Sequence, residues 1–339
     1  MRKIKAVSLS FVFVFICTIY PLLSHFNVHF ACAQRISSSE CVMEIDSGRI
    51  LYEEHGDVRL PMASTTKIVT AISVIDSGYD LNRVSKVPKN AIGIEGSSVY
   101  LKEGDECSAL DLLYGLMLRS GNDCAVALAE LVDGGVRQFS SRMNQTAQRA
   151  GAVNSRFSNP HGLPAKNHYT TAVDLTLITA YAMKNPLFAK IVSTKYYPEK
   201  GWTNKNKMLT QYDGAIGVKT GFTKEAGRCL VTAAERDGMR LAVTVLNCPS
   251  MYERTKTLLD DAFSKYKNRL LLGAKQIVAF EGGVGISNQD FYYPIREEEM
   301  QHVEVIARPI QSNENKKIIG EFEIYLLKRL LFSGNLYKL

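Results

Sequence analysis

The sequence predicts an α+β fold. An antiparallel sheet is covered by helices, a helical subdomain occupies the middle of the chain, and a small all-β domain closes it. Three observations lead there. Apolar residues keep helical spacing through the middle of the chain, over Ser64 to Ile75, Leu112 to Met117 and Val136 to Ala150. From Gly214 the period shortens to two, and Asp237-Gly238 joins two of the resulting strands as a two-residue hairpin loop. Strands, helices, strands and a closing helix in that order each carry an apolar face, and a sheet with helices packed on it buries those faces together.

The chain opens on a basic start, Met1-Arg2-Lys3-Ile4-Lys5, followed by an apolar run from Ala6 to Leu23 and small residues at Ala31-Cys32-Ala33. This order is that of a signal peptide over 1–33, cleaved after Ala33 to leave Gln34 as the mature start. An uncleaved anchor is one alternative. Cys32 after Ala31 raises a lipoprotein as another, although His29 and Phe30 fit a lipobox poorly. Two β-prone arms around Asp46-Ser47-Gly48 predict a hairpin over Cys41 to Tyr52.

After Pro61 the run Ser64 to Ile75 is apolar almost all round and stops before Gly78, as a helix buried inside a domain should. Ser108-x-x-Asp111 opens a second helix, Ser120-Gly121-Asn122 breaks it, and Asp123 to Leu131 continues. Thr171-x-x-Asp174 caps another helix through Leu175 and Ile178. Gly214 to Thr220, Cys229 to Glu235 and Met239 to Leu246 read as strands, and Tyr252 to Tyr266 as the closing helix. Alternation at His302 to Ile306 and Glu321 to Tyr325 marks the β-rich end. The domains expected are therefore 34–268 and 269–339.

Composition narrows the classes. A chain of 339 residues with 46% hydrophobic and 22% charged residues supports a sizeable core and excludes collagen, a disordered tail protein and a polytopic membrane protein. Of the formal charge of +7, Arg2, Lys3 and Lys5 supply three, and the remaining +4 is too mild to argue for nucleic acid. Five of the seven cysteines follow the leader: Cys41, Cys107, Cys124, Cys229 and Cys248. An odd number cannot pair completely. Without C-x-x-C or H-E-x-x-H they read as buried free thiols, not as a zinc or redox site.

Three short strings stand in order: Ser64-x-x-Lys67, Ser120-x-Asn122 and Lys219-Thr220-Gly221. Each alone is common, and their order and setting carry the argument. A hydroxyl is a poor nucleophile at its own pKa and needs a base within hydrogen-bond reach. One helical turn on, the Lys67 amine can fold back to Ser64 Oγ. Burial, the positive end of the helix and a second cation such as Lys219 all lower its pKa. Ser64 at the helix start also directs its own N–H toward a developing oxyanion. The plainer alternative is a capping serine beside a solvated lysine.

Ser120 can relay the proton from Lys67 to the leaving amine, while the Asn122 amide holds Lys67 and a substrate carbonyl. The alternative is a self-satisfied turn. Lys219-Thr220-Gly221 ends an edge strand, whose unpaired backbone can take an extended peptide as a further strand. Lys219 and Thr220 then hold the peptide's terminal carboxylate, and Gly221 permits close approach; here too a solvated turn is the alternative.

Together these strings form the set shared by penicillin-binding proteins and class A β-lactamases. Further passages sharpen the match: Pro61-Met62-Ala63-Ser64-Thr65-Thr66-Lys67, Arg119-Ser120-Gly121-Asn122-Asp123, Asn159-Pro160-His161-Gly162-Leu163 and Gly217-Val218-Lys219-Thr220-Gly221-Phe222-Thr223. Over most of its mature length the chain resembles the serine-type D-alanyl-D-alanine carboxypeptidases, low-molecular-mass penicillin-binding proteins of β-lactamase/transpeptidase-like fold.

The resemblance implies an acyl-enzyme on Ser64, attack on the D-Ala-D-Ala bond of peptidoglycan stem peptides, and acylation of the same serine by β-lactams. It implies no metal or organic cofactor. Arg254 matches a recurrent arginine of the family that supports substrate binding, with a surface ion pair as the alternative. His161 reads as a structural hydrogen-bonder, since Lys67 already serves as base. Cys124 reads as packing.

Two features separate neighbouring readings. Residues 322–336 look like strands around a turn where the family often carries an amphipathic membrane helix, so peripheral membrane or wall association is left open. Between Asn122 and Lys219 the only glutamates are Glu130 and Glu199, and neither lies in the Glu-x-x-Leu-Asn that supplies a β-lactamase's deacylating base. A D,D-endopeptidase or transpeptidase would use the same residues. A non-catalytic wall-binding or penicillin-sensing protein would not need them intact.

Overall fold

The structure is a computed structural model, and it describes residues 38–310 and 317–339. The expected signal peptide and its cleavage site lie outside the described residues. From Ser38 onward the chain forms one compact unit.

Strands β1 (Ser39–Glu44) and β2 (Ile50–Glu54) form the expected hairpin. The turn at Gly48 has φ 70°, a conformation glycine adopts without steric cost. A 3-10 turn, Ala63–Thr66, leads into the central helix α1 (Lys67–Ile75). Ser64 therefore sits in that turn, not at the start of the α-helix as the apolar pattern suggested. A short hairpin follows, β3 (Val84–Lys86) with β4 (Glu106–Ser108).

Ser108 caps α2 (Ala109–Tyr114), its Oγ accepting from Asp111 N at 3.0 Å, with a π-helical turn, Gly115–Arg119, beyond. Ser120 ends that turn in the left-handed region, φ 64°, and Asn122 is the first residue of α3 (Asn122–Asp133), one position earlier than expected. Helices α4 (Val136–Arg149) and α5 (Ala172–Met183) follow, the second capped by Thr171 Oγ1 on Asp174 N. Helix α6 (Pro186–Ser193) was not anticipated. Its Asn185 cap and Pro186 at the first helical position are ordinary start signals that its short length obscured. A second small hairpin, β5 (Tyr196–Tyr197) with β6 (Trp202–Thr203), and a single turn, α7 (Met208–Gln211), lead to the sheet.

Strands β7 (Ala215–Thr223), β8 (Gly227–Arg236) and β9 (Met239–Leu246) join β1 and β2 in the antiparallel order β2-β1-β9-β8-β7. Alternation divides them cleanly. Cys41, Met43, Cys229, Val231 and Ala233 face the core around Ile68, Ile72 and Leu113, whereas Val42, Leu230, Val243 and Val245 face Leu258, Leu259 and Phe263 of α8 (Met251–Lys265). The sheet is thus covered on both faces, which is why its strands are nearly continuous apolar runs. β7 is an edge strand, and Lys219-Thr220-Gly221 lies inside it, since pairing with β8 continues to Thr223 instead of stopping at Thr220.

The C-terminal region is all-β. β10 (Lys267–Leu272) pairs with β13 (Phe291–Ile295). A five-stranded sheet runs in the order β11-β12-β16-β15-β14, from β11 (Ile277–Phe280), β12 (Gly283–Ile286), β14 (Val303–Pro309), β15 (Ile318–Leu326) and β16 (Arg329–Tyr337). β15 and β16 turn at Leu327-Lys328, as expected of strands around a turn. Phe291 and Phe322 meet edge to face at 5.1 Å over a small core with Leu272, Ile324 and Leu336. Arg49 ties this region to the first hairpin, donating to Glu299 and to Pro294 O, both at 2.6 Å. No helix among the described residues is long and apolar enough to cross a membrane.

Candidate active site

The 3-10 turn and α1 put Ser64 and Lys67 one turn apart and on one side. Lys67 is fully buried, and its Nζ donates to Ser64 Oγ at 3.0 Å, to Asn122 Oδ1 at 2.6 Å and to the His161 carbonyl at 2.7 Å. Three acceptors match three ammonium hydrogens, so the geometry is that of the resting, protonated amine. Burial nevertheless holds its pKa well below the ordinary lysine range. Lys219 lowers it further and Lys205 adds to this, against the opposing charge of Asp123. None of its three acceptors carries a formal charge, so the charged form is held without being locked in.

Each acceptor is itself fixed. Asn122 Nδ2 donates to Glu95 O at 2.5 Å, and its backbone N–H to Ser97 O at 2.7 Å. Asn159 Oδ1 accepts from the backbone N–H of His161 and of Gly162, at 3.2 and 2.7 Å. This holds the loop whose carbonyl meets Lys67. Gly162 has φ +91°, and a Cβ there would run into Ala63 O, beside Ser64. Only glycine allows the loop to close on the turn that holds Ser64.

Gly221 closes the other side. A Cβ there would stand 3.0 Å from Ser64 N and 3.1 Å from Met62 O, so the edge strand runs directly past the serine's backbone N–H. Lys219 is buried, and its pKa is lowered to about 7 by burial and then by Lys205; its Nζ donates to Thr220 O at 2.9 Å. The cleft in front encloses about 410 Å³ and is lined by Ser64, Ser97, Ser120, Lys205, Thr220, Gly221, Phe222, Arg228, Met251 and Tyr252. Ser120 faces it with its hydroxyl outside the hydrogen bonds of Lys67.

Ser64, Lys67, Ser120, Asn122, Lys219, Thr220 and Gly221 therefore converge at one cleft. Arg254 does not. Its guanidinium pairs with the buried Glu40 at 2.6 Å, with Glu54 at 3.4 Å and with Tyr52 Oη at 2.9 Å, in a separate depression that includes Ser38 and Cys248. The ion-pair alternative describes its surroundings. The His161 ring accepts from Leu163 N at 3.2 Å, and its pKa is pushed down to about 4, by burial first and then by Lys67, so it is a neutral structural group. Cys124 is buried against Gly115 and Gly121, and burial pushes its thiol pKa well up. All five described cysteines are free and buried.

Sequence reasoning missed the His161 carbonyl, because a backbone acceptor leaves no mark on residue type. It also missed Lys205 and Arg228, isolated cations that only the folded chain brings to the cleft.

A buried amine on a hydroxyl, beside an edge strand and a backbone N–H, is a site for acyl transfer through a serine ester. A family model described as D-alanyl-D-alanine carboxypeptidase matches residues 27–250. The chain belongs to that family of serine peptidases.

It is 33% identical over 258 residues to D-alanyl-D-alanine carboxypeptidase DacF of Bacillus subtilis, covering 72% of this chain and 66% of that relative. It is 37% identical over 236 residues to the D-alanyl-D-alanine carboxypeptidase of Streptomyces sp. K15, covering 62% of this chain and 81% of the relative. Among solved structures, penicillin binding protein 5 from Haemophilus influenzae superposes with a TM-score of 0.73 at 27% identity, covering 88% of this chain and 95% of that one.

Proposed function

We propose that Ser64 is the acyl-ester nucleophile of a D,D-carboxypeptidase that removes the terminal D-Ala from peptidoglycan stem peptides, and that β-lactams acylate the same hydroxyl. In the productive state Lys67 is neutral and takes the Ser64 proton as the hydroxyl attacks the penultimate D-Ala carbonyl. The Ser64 N–H, beside the edge strand, meets the developing oxyanion. The stem adds along β7, with its terminal carboxylate toward Lys219 and Thr220 and its carbonyl toward Asn122. Ser120 passes the proton on to the departing D-Ala amine. Water then cleaves the ester, with the neutral amine again available as base.

The observation that carries this reading is the 3.0 Å contact of a fully buried lysine amine with Ser64 Oγ. The reading extends to export, the basic and apolar start being removed after Ala33, and to a catalytic domain over 34–268 followed by a small β-rich C-terminal domain over 269–339. Incubation with a D-Ala-D-Ala peptide and with a fluorescent penicillin tests it. Release of D-Ala and a stable Ser64 adduct are expected. Labelling without D-Ala release favours a penicillin sensor, rapid loss of label a β-lactamase, and cleavage only of crosslinked dimers an endopeptidase.

A further inference from the structure

β7 and β8 pair in register from Gly217 to Thr223, which sets Phe222 directly across from Arg228. Directly opposite residues of an antiparallel pair share one face of the sheet. Both side chains are exposed, Phe222 at 66%, and both line the catalytic cleft together with Met251 and Tyr252 at the start of α8. Other arginines of this sheet and of α8 are neutralised, Arg236 by Asp260, Arg240 by Asp46 and Arg254 by Glu40, and Glu253 in the first turn of α8 is taken by Lys256. Arg228 joins no ion pair among the described residues, and no aspartate or glutamate lines the cleft. The other cation of the lining, Lys205, serves the opposite end, where its charge lowers the pKa of Lys219 and of Lys67.

The register of the stem follows from the site. With its terminal carboxylate at Lys219 and Thr220, a stem laid along β7 runs antiparallel to that strand. Gly221 passes Ser64 N, so the penultimate D-Ala, whose carbonyl is attacked, lies beside Gly221. The residue before it then lies beside Phe222, on the row that continues to Arg228. Two strand spacings, about 10 Å, separate that residue from β8. A short side chain ends over the Phe222 ring. An unbranched one of about four methylenes crosses the ring, lays its carbons on an apolar surface and brings its end group to the guanidinium.

We propose that Arg228 is a specificity-determining residue, selecting stems in which the residue before the two D-alanines has a long aliphatic side chain ending in a free carboxylate. The forked guanidinium matches a carboxylate, repels an ammonium and gains little from an amide. The selection rests on the carboxypeptidase reading for the direction in which the stem lies.

The test uses acetyl-X-D-Ala-D-Ala peptides in which X is 2-aminopimelate, its side-chain amide or lysine, three side chains of equal methylene length ending in a carboxylate, an amide and an ammonium. The kcat/KM for D-Ala release should be about fivefold higher for the carboxylate than for the amide, with lysine lowest, and the advantage should shrink as salt is raised from about 0.05 to about 0.5 M. Arg228→Gln should bring the carboxylate and amide peptides level, and Arg228→Glu should reverse the order in favour of lysine. Equal kcat/KM for the carboxylate and amide peptides in the wild-type protein, or a preference that survives Arg228→Gln, overturns the proposal. If none of the peptides releases D-Ala, the carboxypeptidase reading fails, and the selection is read from how well the same peptides protect Ser64 from a fluorescent penicillin. There the same order upholds the role of Arg228 and equal protection overturns it.

Discussion

Replacing Asn122 by aspartate probes the protonation state of Lys67. The amide oxygen accepts from Nζ at 2.6 Å and bears no formal charge, whereas a carboxylate there would hold the ammonium electrostatically. At that distance and an effective dielectric constant of about 20, the added attraction is about 6 kcal/mol, equivalent to between about four and five pKa units. The new carboxylate's own burial offsets part of this, and the Glu95 carbonyl loses its donor. Allowing about half to survive, Asn122→Asp should raise the Lys67 pKa by at least about two units.

The assay is the second-order rate of Ser64 acylation by a fluorescent penicillin across pH. On the acid limb, below the wild-type pKa, the variant should be at least about a hundredfold slower, the deficit shrinking to about tenfold one pH unit above that pKa, and its acid limb should move upward by the same two units. Asn122→Ala loses the contact without adding charge and should slow acylation with no upward move. An Asn122→Asp profile that is lowered but not displaced would show that Lys67 does not need to be neutral, and would refute the reasoning.

Other consequences are open to measurement. Arg254→Ala should cost about 3 kcal/mol in urea unfolding, because it strands the buried Glu40, while changing acylation little; a large loss of acylation with stability intact would instead return Arg254 to the substrate. Gly162→Ala should cost at least about 2 kcal/mol and slow acylation, since the loop must back away from Ala63 O. His161 and His168 both have folded pKa values lowered to about 4 from 6.5, by burial first in each case. Between those values the unfolded chain binds protons that the native chain does not. The stability they supply is therefore complete above pH 6.5 and is lost as pH falls toward 4, by up to about 3 kcal/mol per histidine. Unfolding free energies that stay flat over that range would contradict their burial. A thiol reagent should find no reactive cysteine in the native mature chain and five after denaturation.

Much of this was legible before any coordinates. Periodicity located the sheet strands and the main helices, because each buries one face, and the strand of Lys219, read as an edge strand, is one in the order of the sheet. Short-range spacing was enough for Ser64 and Lys67, where a single turn decides the contact. What escaped were features set by long-range closure. The 3-10 turn under Ser64 is approached closely from two sides by Gly162 and Gly221, and its own residues do not announce it. Lys205 acts on Lys219 and Lys67 only through the field inside the cleft. Arg254 was ambiguous because its partner, Glu40, is 214 residues away in sequence. Residue type indicated a cation there, and only tertiary pairing shows what neutralises it.

The central claim is that Lys67 gives up its proton far more readily than an ordinary lysine. NMR of the chain labelled with 13C at lysine Cε, with Lys67 assigned by a Lys67→Arg variant, follows that proton through a pH titration. The account predicts that the Lys67 signal titrates well before those of the surface lysines, and that it moves toward them in Asn122→Asp. Titration together with the surface lysines in the wild-type protein would contradict it.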